Sequence, residues 1–147
     1  MRAPYVLAAA LLCATLVQSR ALADGTIAIA EPRDVARDGF SVGVSYNYQS
    51  RAEADAEALH QCRTFEAVTP EVRQLCAIRA TFDNQCVAVA MDPEPGTYGW
   101  GWAIYPNQAG ADEIALRNCR NASSSDRAGY CQVTLRNCDG SADIGGK

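Results

Sequence analysis

Short stretches of this chain alternate between large and small residues, whereas two longer stretches carry apolar residues at helical spacing. The alternation is clearest in 40–46 and 98–104, where a valine, tyrosine, tryptophan or isoleucine stands at every second position. This period of two predicts β-strands with the large side chains on one face. The stripes Ala54–Cys62 and Ala111–Cys119 instead recur every three to four residues, which predicts two helices with an apolar face.

The two helical stretches are copies of one another. Tyr48–Arg63 matches Tyr105–Arg120, with eight identical residues in 16 aligned positions. In both copies an apolar run and a turn-rich break precede the alternating strand, and a strand that begins at a cysteine follows the helix. An internal repeat of this kind has to be identified before single residues are assigned a role. We expect two β-β-α-β units, with repeat 1 at about 26–85 and repeat 2 at about 86–138.

This order of elements predicts the fold class. The last strand of each unit, 76–82 or 131–136, alternates polar and apolar residues, which is typical of an antiparallel sheet with one wet face. We therefore predict an α+β fold in which the two repeats form an antiparallel sheet with both helices packed on one face. Gly43 and Gly101 stand on the small-residue side of their strands, where they are expected to let a helix backbone approach closely.

The N-terminal segment has the features of a signal peptide. Arg2 precedes the apolar run 6–17, and Ala21-Leu22-Ala23 fits a signal-peptidase cleavage pattern. We predict a signal peptide at 1–23 and a single exported domain at 24–147, either periplasmic or secreted. No second apolar stretch approaches the roughly 20 residues that a membrane helix needs, so no membrane insertion is expected after cleavage.

The charge of the exported part restricts its partners. Residues 24–147 contain 11 basic and 17 acidic residues, which gives a formal charge of −6. A negative field does not attract phosphate backbones or anionic lipids. Binding to nucleic acid or to a membrane surface is therefore disfavoured.

Six cysteines remain after signal cleavage, and an even number in an exported chain indicates a disulfide framework. Sequence alone leaves about 15 connectivities open. If the chain turns back directly from each helix into the following strand, the β-β-α-β order favours three disulfide pairs. These pairs are Cys62 with Cys76, Cys119 with Cys131, and Cys86 with Cys138, the last expected to join the two halves.

A bound metal or other cofactor is not expected. Zinc is disfavoured because the chain has no Cys-x-x-Cys knuckle and a single histidine. Asn137, Asp139, Ser141 and Asp143 alternate like the start of a calcium loop, but the glutamate at the twelfth position is missing. We interpret this segment as a polar tail.

The runs 27–30, 45–54, 84–90 and 98–102, taken together, resemble the small exported bacterial family called domain of unknown function 4189. The similarity covers nearly all of the exported chain, roughly 26–138. It implies an exported bacterial protein with a cysteine-bearing domain. It supplies no catalytic residues that could be transferred to this chain.

Few residues are candidates for catalysis. His60 lies one position beyond the apolar helix stripe, and Arg117 takes its place in the second repeat. Asp55 and Asp112 could form an acid–base pair across a two-fold axis. Both also stand near a helix N-terminus, where the helix dipole stabilises a carboxylate, and this structural role is favoured. A small hydrolase that uses Asp55, Asp112 or His60 is therefore the alternative function.

The repeats differ most in their alternating strands, because the second carries Trp100 and Trp102, after Tyr98, where the first has only valines. If this face belongs to the core, the tryptophans fill volume. If it is the helix-free face, they form an exposed aromatic platform for recognition. With Tyr46 and Tyr48 they are the expected binding residues. The leading hypothesis is a non-enzymatic exported domain that binds a protein or cell-envelope component; a passive envelope or stress protein is the other alternative.

Overall fold

The computed structural model describes residues 24–142, so the predicted signal peptide 1–23 and residues 143–147 lie outside this range. The strands are β1 (Asp24–Ala30), β2 (Ser41–Tyr48), β3 (Ala77–Phe82), β4 (Cys86–Met91), β5 (Trp100–Tyr105) and β6 (Gln132–Cys138). The helices are α1 (Val35–Asp38), α2 (Arg51–Thr64), α3 (Pro70–Arg73) and α4 (Gln108–Ala122), and a 3₁₀ turn covers Ala128–Tyr130.

The strands form two antiparallel three-stranded sheets, one from each half of the chain. The first sheet has the order β2-β1-β3 and the second the order β5-β4-β6, so β1 and β4 occupy equivalent central positions. Helix α2 packs on the first sheet and α4 on the second. The predicted α+β fold with two β-β-α-β units is confirmed, although each unit builds its own sheet instead of sharing one.

The two faces of each sheet differ in side-chain size, and this decides what covers them. In β1, Ala28 and Ala30 face α2, whereas Ile27 and Ile29 point to the opposite side and are almost fully buried. The same division separates alanines from valines in β4. The large residues of both sheets share one apolar cluster. The molecule therefore has four layers, α2, first sheet, second sheet and α4, since the helix-free faces are too apolar to remain in water.

Glycine allows each helix to lie directly against its sheet. A Cβ added to Gly43 would overlap the carbonyl oxygen of Ala58 and lie 2.6 Å from the Cys62 nitrogen. A Cβ at Gly101 would lie 2.6 Å from the Cys119 nitrogen. The close approach that the sequence predicted for these two glycines is confirmed. Ser41 and Ser45, the neighbours of Gly43 on the same face, donate hydrogen bonds of 2.7 Å to carbonyl oxygens of α2.

A β-bulge in the last strand of each unit changes which side chains face the core. The pairing shifts between Ile27 and Ala28, which leaves Arg79 as the extra residue of β3; Thr134 is the equivalent residue of β6. Because one extra residue is inserted at each bulge, the side chains after it lie on the opposite face from the one that strict alternation would give. Cys76 consequently packs on the helix side and Phe82 between the sheets, whereas the uninterrupted alternation expected for 76–82 would place both on one face and was wrong at this point.

The three disulfides are Cys62–Cys76, Cys119–Cys131 and Cys86–Cys138, the pairs that the sequence plan favoured. The first two tie the C-terminal end of α2 or α4 to the start of the next strand. Cys86 and Cys138 are direct partners across β4 and β6. This bond therefore lies within the second sheet, and the expectation that it joins the two halves was wrong.

A buried carboxylate connects the halves instead. Asp139 has no exposed surface, and its side chain accepts hydrogen bonds from the backbone nitrogens of Asn47, at 2.6 Å, and Asn84, at 3.2 Å. Both asparagines adopt left-handed backbone conformations, with φ of 60° and 50°. Their side chains in turn accept hydrogen bonds from the backbone nitrogens of Gly140 and Ser141. The polar residues after β6 are thus held between the end of β2 and the β3–β4 connection of the first repeat.

Replacing Asp139 by alanine is expected to lower the free energy of unfolding by about 2–3 kcal/mol, because two backbone donors lose a charged acceptor. Urea denaturation followed by circular dichroism measures the loss. Ser141→Ala is the matched control, since it removes only one exposed hydroxyl hydrogen bond to Asn84. We expect it to cost under about 1 kcal/mol. Equal losses in the two variants would contradict the role of Asp139.

Candidate functional site

The structure places the two candidate carboxylates, Asp55 and Asp112, on opposite outer layers. Asp55 on α2 accepts a 2.7 Å hydrogen bond from the hydroxyl of Thr26. Asp112 on α4 accepts one of 2.7 Å from the side chain of Gln108 and lies 3.2 Å from Arg136. Both sheets stand between α2 and α4, so the two carboxylates do not form a pair. Both hold neighbouring elements in place.

The remaining polar candidates are His60 and the residues after β6. His60 is exposed on α2, and its backbone carbonyl accepts a hydrogen bond from the hydroxyl of Thr64. Asp139 uses its two carboxylate oxygens for the backbone donors of Asn47 and Asn84, and Asp143 lies outside the described residues. Within 24–142, no three His, Cys, Asp or Glu side chains are grouped in a way that could hold a metal ion.

The predicted aromatic residues lie on the side of the molecule formed by β2 and β5. Trp100 and Trp102 occupy the helix-free face of the second sheet, but the first sheet covers this face. Both are partly buried against the apolar cluster between the sheets. The ring of Phe40, directly before β2, stacks on Trp100 with 4.6 Å between centroids. The tryptophans therefore contribute to the core and reach its edge at the same time.

The three tyrosines of the predicted set are spread along this side. Tyr98 is 56% exposed and lies two residues before β5, whereas Tyr46 is 42% exposed near the far end of β2. Six residues of extended strand separate Tyr46 from Phe40, a distance of about 20 Å. Tyr48 pairs with Asp24 at the end of the first sheet. Tyr98 and Trp100 thus belong to one end of the surface, and Tyr46 and Tyr48 to the other.

At the Tyr98 end, the hairpin loops of both repeats form a cleft of about 380 Å³. We call it the hairpin cleft, and its walls are 35–40, the segment 65–68 after α2, and 91–97 with Gly99. Most of its lining is apolar, from valine, phenylalanine, methionine and proline side chains. The turn-rich breaks of the sequence predicted both loops. Their meeting, and the stacking partner Phe40, were missed, because no local signal shows which loops converge.

Both loops are held in defined conformations. The side chain of Asp34 caps α1 by accepting a 3.1 Å hydrogen bond from the Arg37 nitrogen. In the second loop, the backbone nitrogen of Asp92 donates to the Gly99 carbonyl at 2.7 Å, and the Asp92 side chain accepts from the Glu94 nitrogen at 3.0 Å. Hydrogen bonds within each loop therefore fix the backbone that forms the walls of the cleft.

Two arginines at the cleft are occupied by carboxylates. Arg127 makes a two-pronged contact with the buried side chain of Asp92, at 2.8 and 2.6 Å, which lowers the pKa of that carboxyl below its ordinary value. Arg37 binds Asp38 in the same manner, with two bonds of 2.7 Å, and lowers the pKa of Asp38. Glu94 remains 65% exposed and lies 4.0 Å from Arg127.

Helix side chains cover the free edges of β2 and β5. The side-chain oxygen of Gln61 accepts a hydrogen bond from the Val44 nitrogen at 3.1 Å. Asn118, the counterpart of Gln61 in the second repeat, donates one of 3.0 Å to the Trp102 carbonyl. These contacts occupy backbone groups that an added strand would need. A partner that binds on this side therefore meets side chains rather than an open sheet edge.

The geometry defines a class of protein: a duplicated α+β fold with four layers, three disulfides and an aromatic cleft between its hairpin loops. Residues 25–138 match the family described as Domain of unknown function (DUF4189), and the chain belongs to this family. Neither a curated protein nor a solved structure gives a significant match. Among the helices of 24–142, none is both long and apolar enough to span a bilayer.

Proposed function

We propose that this protein is an exported, non-enzymatic binding domain that recognises a protein or cell-envelope component through the hairpin cleft and the aromatic residues beside it. The observation that carries the proposal is the position of Tyr98. Tyr98 is 56% exposed between two residues that line the cleft, Thr97 and Gly99, and stands two positions before Trp100 of the stacked Phe40–Trp100 pair. Tyrosine and tryptophan supply large contact areas at little cost in conformational entropy, and they are enriched among residues that dominate binding energy.

The compartment and the rigidity of the fold support this proposal. Three disulfides within about 120 residues suit an oxidising environment outside the cytoplasm. The aromatic residues stand on a strand that is packed on α4 and on the apolar cluster between the sheets. A contact surface on such a support needs little ordering when a partner binds.

The alternative hydrolase has less support, because Asp55 and Asp112 hold separate elements together and no nucleophile among residues 24–142 is hydrogen-bonded to the side chain of His60. A passive envelope protein would need no exposed aromatic residue beside a cleft. Tyr46 and Tyr48 lie about 20 Å from the cleft, so we place them at the margin of the contact surface.

Immobilised oxidised protein, residues 24–147, is expected to retain a specific partner from an envelope extract of the producing organism. Tyr98→Ala should weaken retention at least about tenfold, as expected for a residue that dominates binding. Tyr105→Ala is the matched control, since Tyr105 is 41% exposed at the opposite end of β5. It should leave retention unchanged.

Two results would overturn the proposal. If Tyr98→Ala and Tyr105→Ala retain the partner equally, the cleft is not the contact surface. If no partner is retained by the unmodified protein, the passive envelope protein becomes the better interpretation. Thermal unfolding of both variants, compared with the unmodified protein, separates lost contact from lost folding.

A further inference from the structure

The charges around the hairpin cleft are predominantly negative. Its three wall segments carry four carboxylates and one arginine. The carboxylates are Asp38, Glu66, Asp92 and Glu94, and the arginine is Arg37; Glu31, Arg33 and Asp34 precede the first segment. A second arginine, Arg127, reaches the cleft from outside these segments through its contact with Asp92.

Ion pairs reduce the positive charge that is available to an occupant even further. Arg37 is bound by Asp38 and Arg127 by Asp92, each through two short hydrogen bonds. Glu66 and Glu94 of the wall segments are exposed, as are Glu31 and Arg33 in the chain before the first segment. The rim therefore presents a negative potential over an apolar floor.

The exposed aromatic ring at the same end adds a second preference for positive charge. Ammonium and guanidinium groups bind over the face of a tyrosine ring, and neighbouring carboxylates strengthen the attraction. The structure already contains one such contact, because Arg127 lies 4.2 Å from the centroid of the Tyr130 ring. Tyr98, whose chain neighbours Thr97 and Gly99 line the cleft, offers the same chemistry to an external group.

We propose that the hairpin cleft receives an extended segment of a partner protein in which lysine or arginine residues alternate with apolar ones. This inference rests on the proposed binding function and adds the chemistry of the partner. The apolar side chains lie on the floor of the cleft, and the cations contact Tyr98 and the acidic rim. A second copy of this chain is a poor occupant, since its exported part carries a formal charge of −6 and would bring like charges together.

Two peptides of eight residues test the inference, one alternating lysine with leucine and the other alternating glutamate with leucine. Each is titrated into isotopically labelled oxidised protein, residues 24–147, while amide resonances of Gly39, Gly96 and Gly99 report on the cleft. The lysine peptide should shift these resonances saturably, bind at least about tenfold more tightly than the glutamate peptide, and weaken as salt is raised.

Charge-neutral variants locate the effect. Asp38→Asn with Glu94→Gln should weaken binding of the lysine peptide at least about fivefold and reduce its salt dependence. Glu113→Gln is the matched control, because the Glu113 side chain is 79% exposed on α4, away from the cleft. It should change neither quantity.

The outcomes distinguish this inference from the proposed function. Equal binding of both peptides, or cleft resonances that neither peptide shifts, would overturn the cationic occupant while a Tyr98-dependent partner still supports the binding function. A partner that is retained equally by Tyr98→Ala would remove the binding surface itself. If Glu113→Gln also abolished the salt dependence of lysine-peptide binding, this would contradict the role of the cleft.

Discussion

Replacing Gly43 by alanine is expected to lower the free energy of unfolding by about 3 kcal/mol, which is the upper part of the range for overpacked sites. The added Cβ would overlap the carbonyl oxygen of Ala58, a backbone atom that cannot rotate away. Helix α2 would have to move off the first sheet, and the hydrogen bonds of Ser41 and Ser45 to that helix would lengthen. Urea denaturation of the oxidised protein measures the loss.

The second repeat supplies a test of the same kind, and an exposed glycine supplies the control. Gly101→Ala should be similarly damaging, because the new Cβ would meet the backbone of α4 at Asn118 and Cys119. Gly129→Ala should be neutral or slightly stabilising, since no atom lies within 4 Å of the added Cβ. Comparable stabilities for Gly43→Ala and Gly129→Ala would show that the helix does not need this close approach.

These glycines show how far the sequence predicts the fold. Alternation of large and small residues identified the strand faces, and the repeat identified the equivalent positions Gly43 and Gly101 on the face that meets a helix. Ser50 and Glu53 have the three-residue spacing of a helix capping box, and the Ser50 side chain does accept a hydrogen bond from the Glu53 nitrogen. Such features depend on neighbours within about one turn or one strand, which the sequence displays directly.

The features that were missed depend on contacts between distant segments. The large faces of β1 and β4 are both apolar, and this pattern alone does not say whether they line one sheet or oppose each other in two. The bulges at Arg79 and Thr134 have no turn residue to mark them, so the alternation was extended through them. The hairpin cleft exists only because the sheets stack, which brings the loop before Phe40 to the loop before Tyr98.

The same limit applies to the predicted binding residues. Tyr98, Trp100 and Trp102 were singled out because the second repeat departs from the first at these positions. The structure divides their roles: the tryptophans extend the apolar cluster between the sheets, whereas Tyr98 faces solvent. A departure from a repeat therefore identified a special region but not the side chain that a partner would meet.

Removing the Cys86–Cys138 disulfide by the double substitution Cys86→Ala and Cys138→Ala is expected to cost about 4 kcal/mol, more than the loss of either other disulfide. The bond closes a loop with a sequence separation of 52, against 14 and 12 for the other two. The entropy of closing a loop grows with its length, and the shorter loops correspond to about 3 kcal/mol each. The bond also pairs β4 with β6 directly before Asp139, so its loss loosens the segment that connects the halves.

Urea denaturation of the three double-alanine variants under oxidising conditions ranks their free energies of unfolding. The variant without Cys62–Cys76 is the matched control, because that bond also closes on a strand but lies in the first repeat and far from Asp139 in sequence. We expect the variant without Cys86–Cys138 to be the least stable of the three by about 1 kcal/mol. If it were instead the most stable, loop length and the Asp139 contacts could not be what this disulfide reinforces. The framework would then act mainly by fixing each helix to its following strand, which Cys62–Cys76 and Cys119–Cys131 do in both repeats.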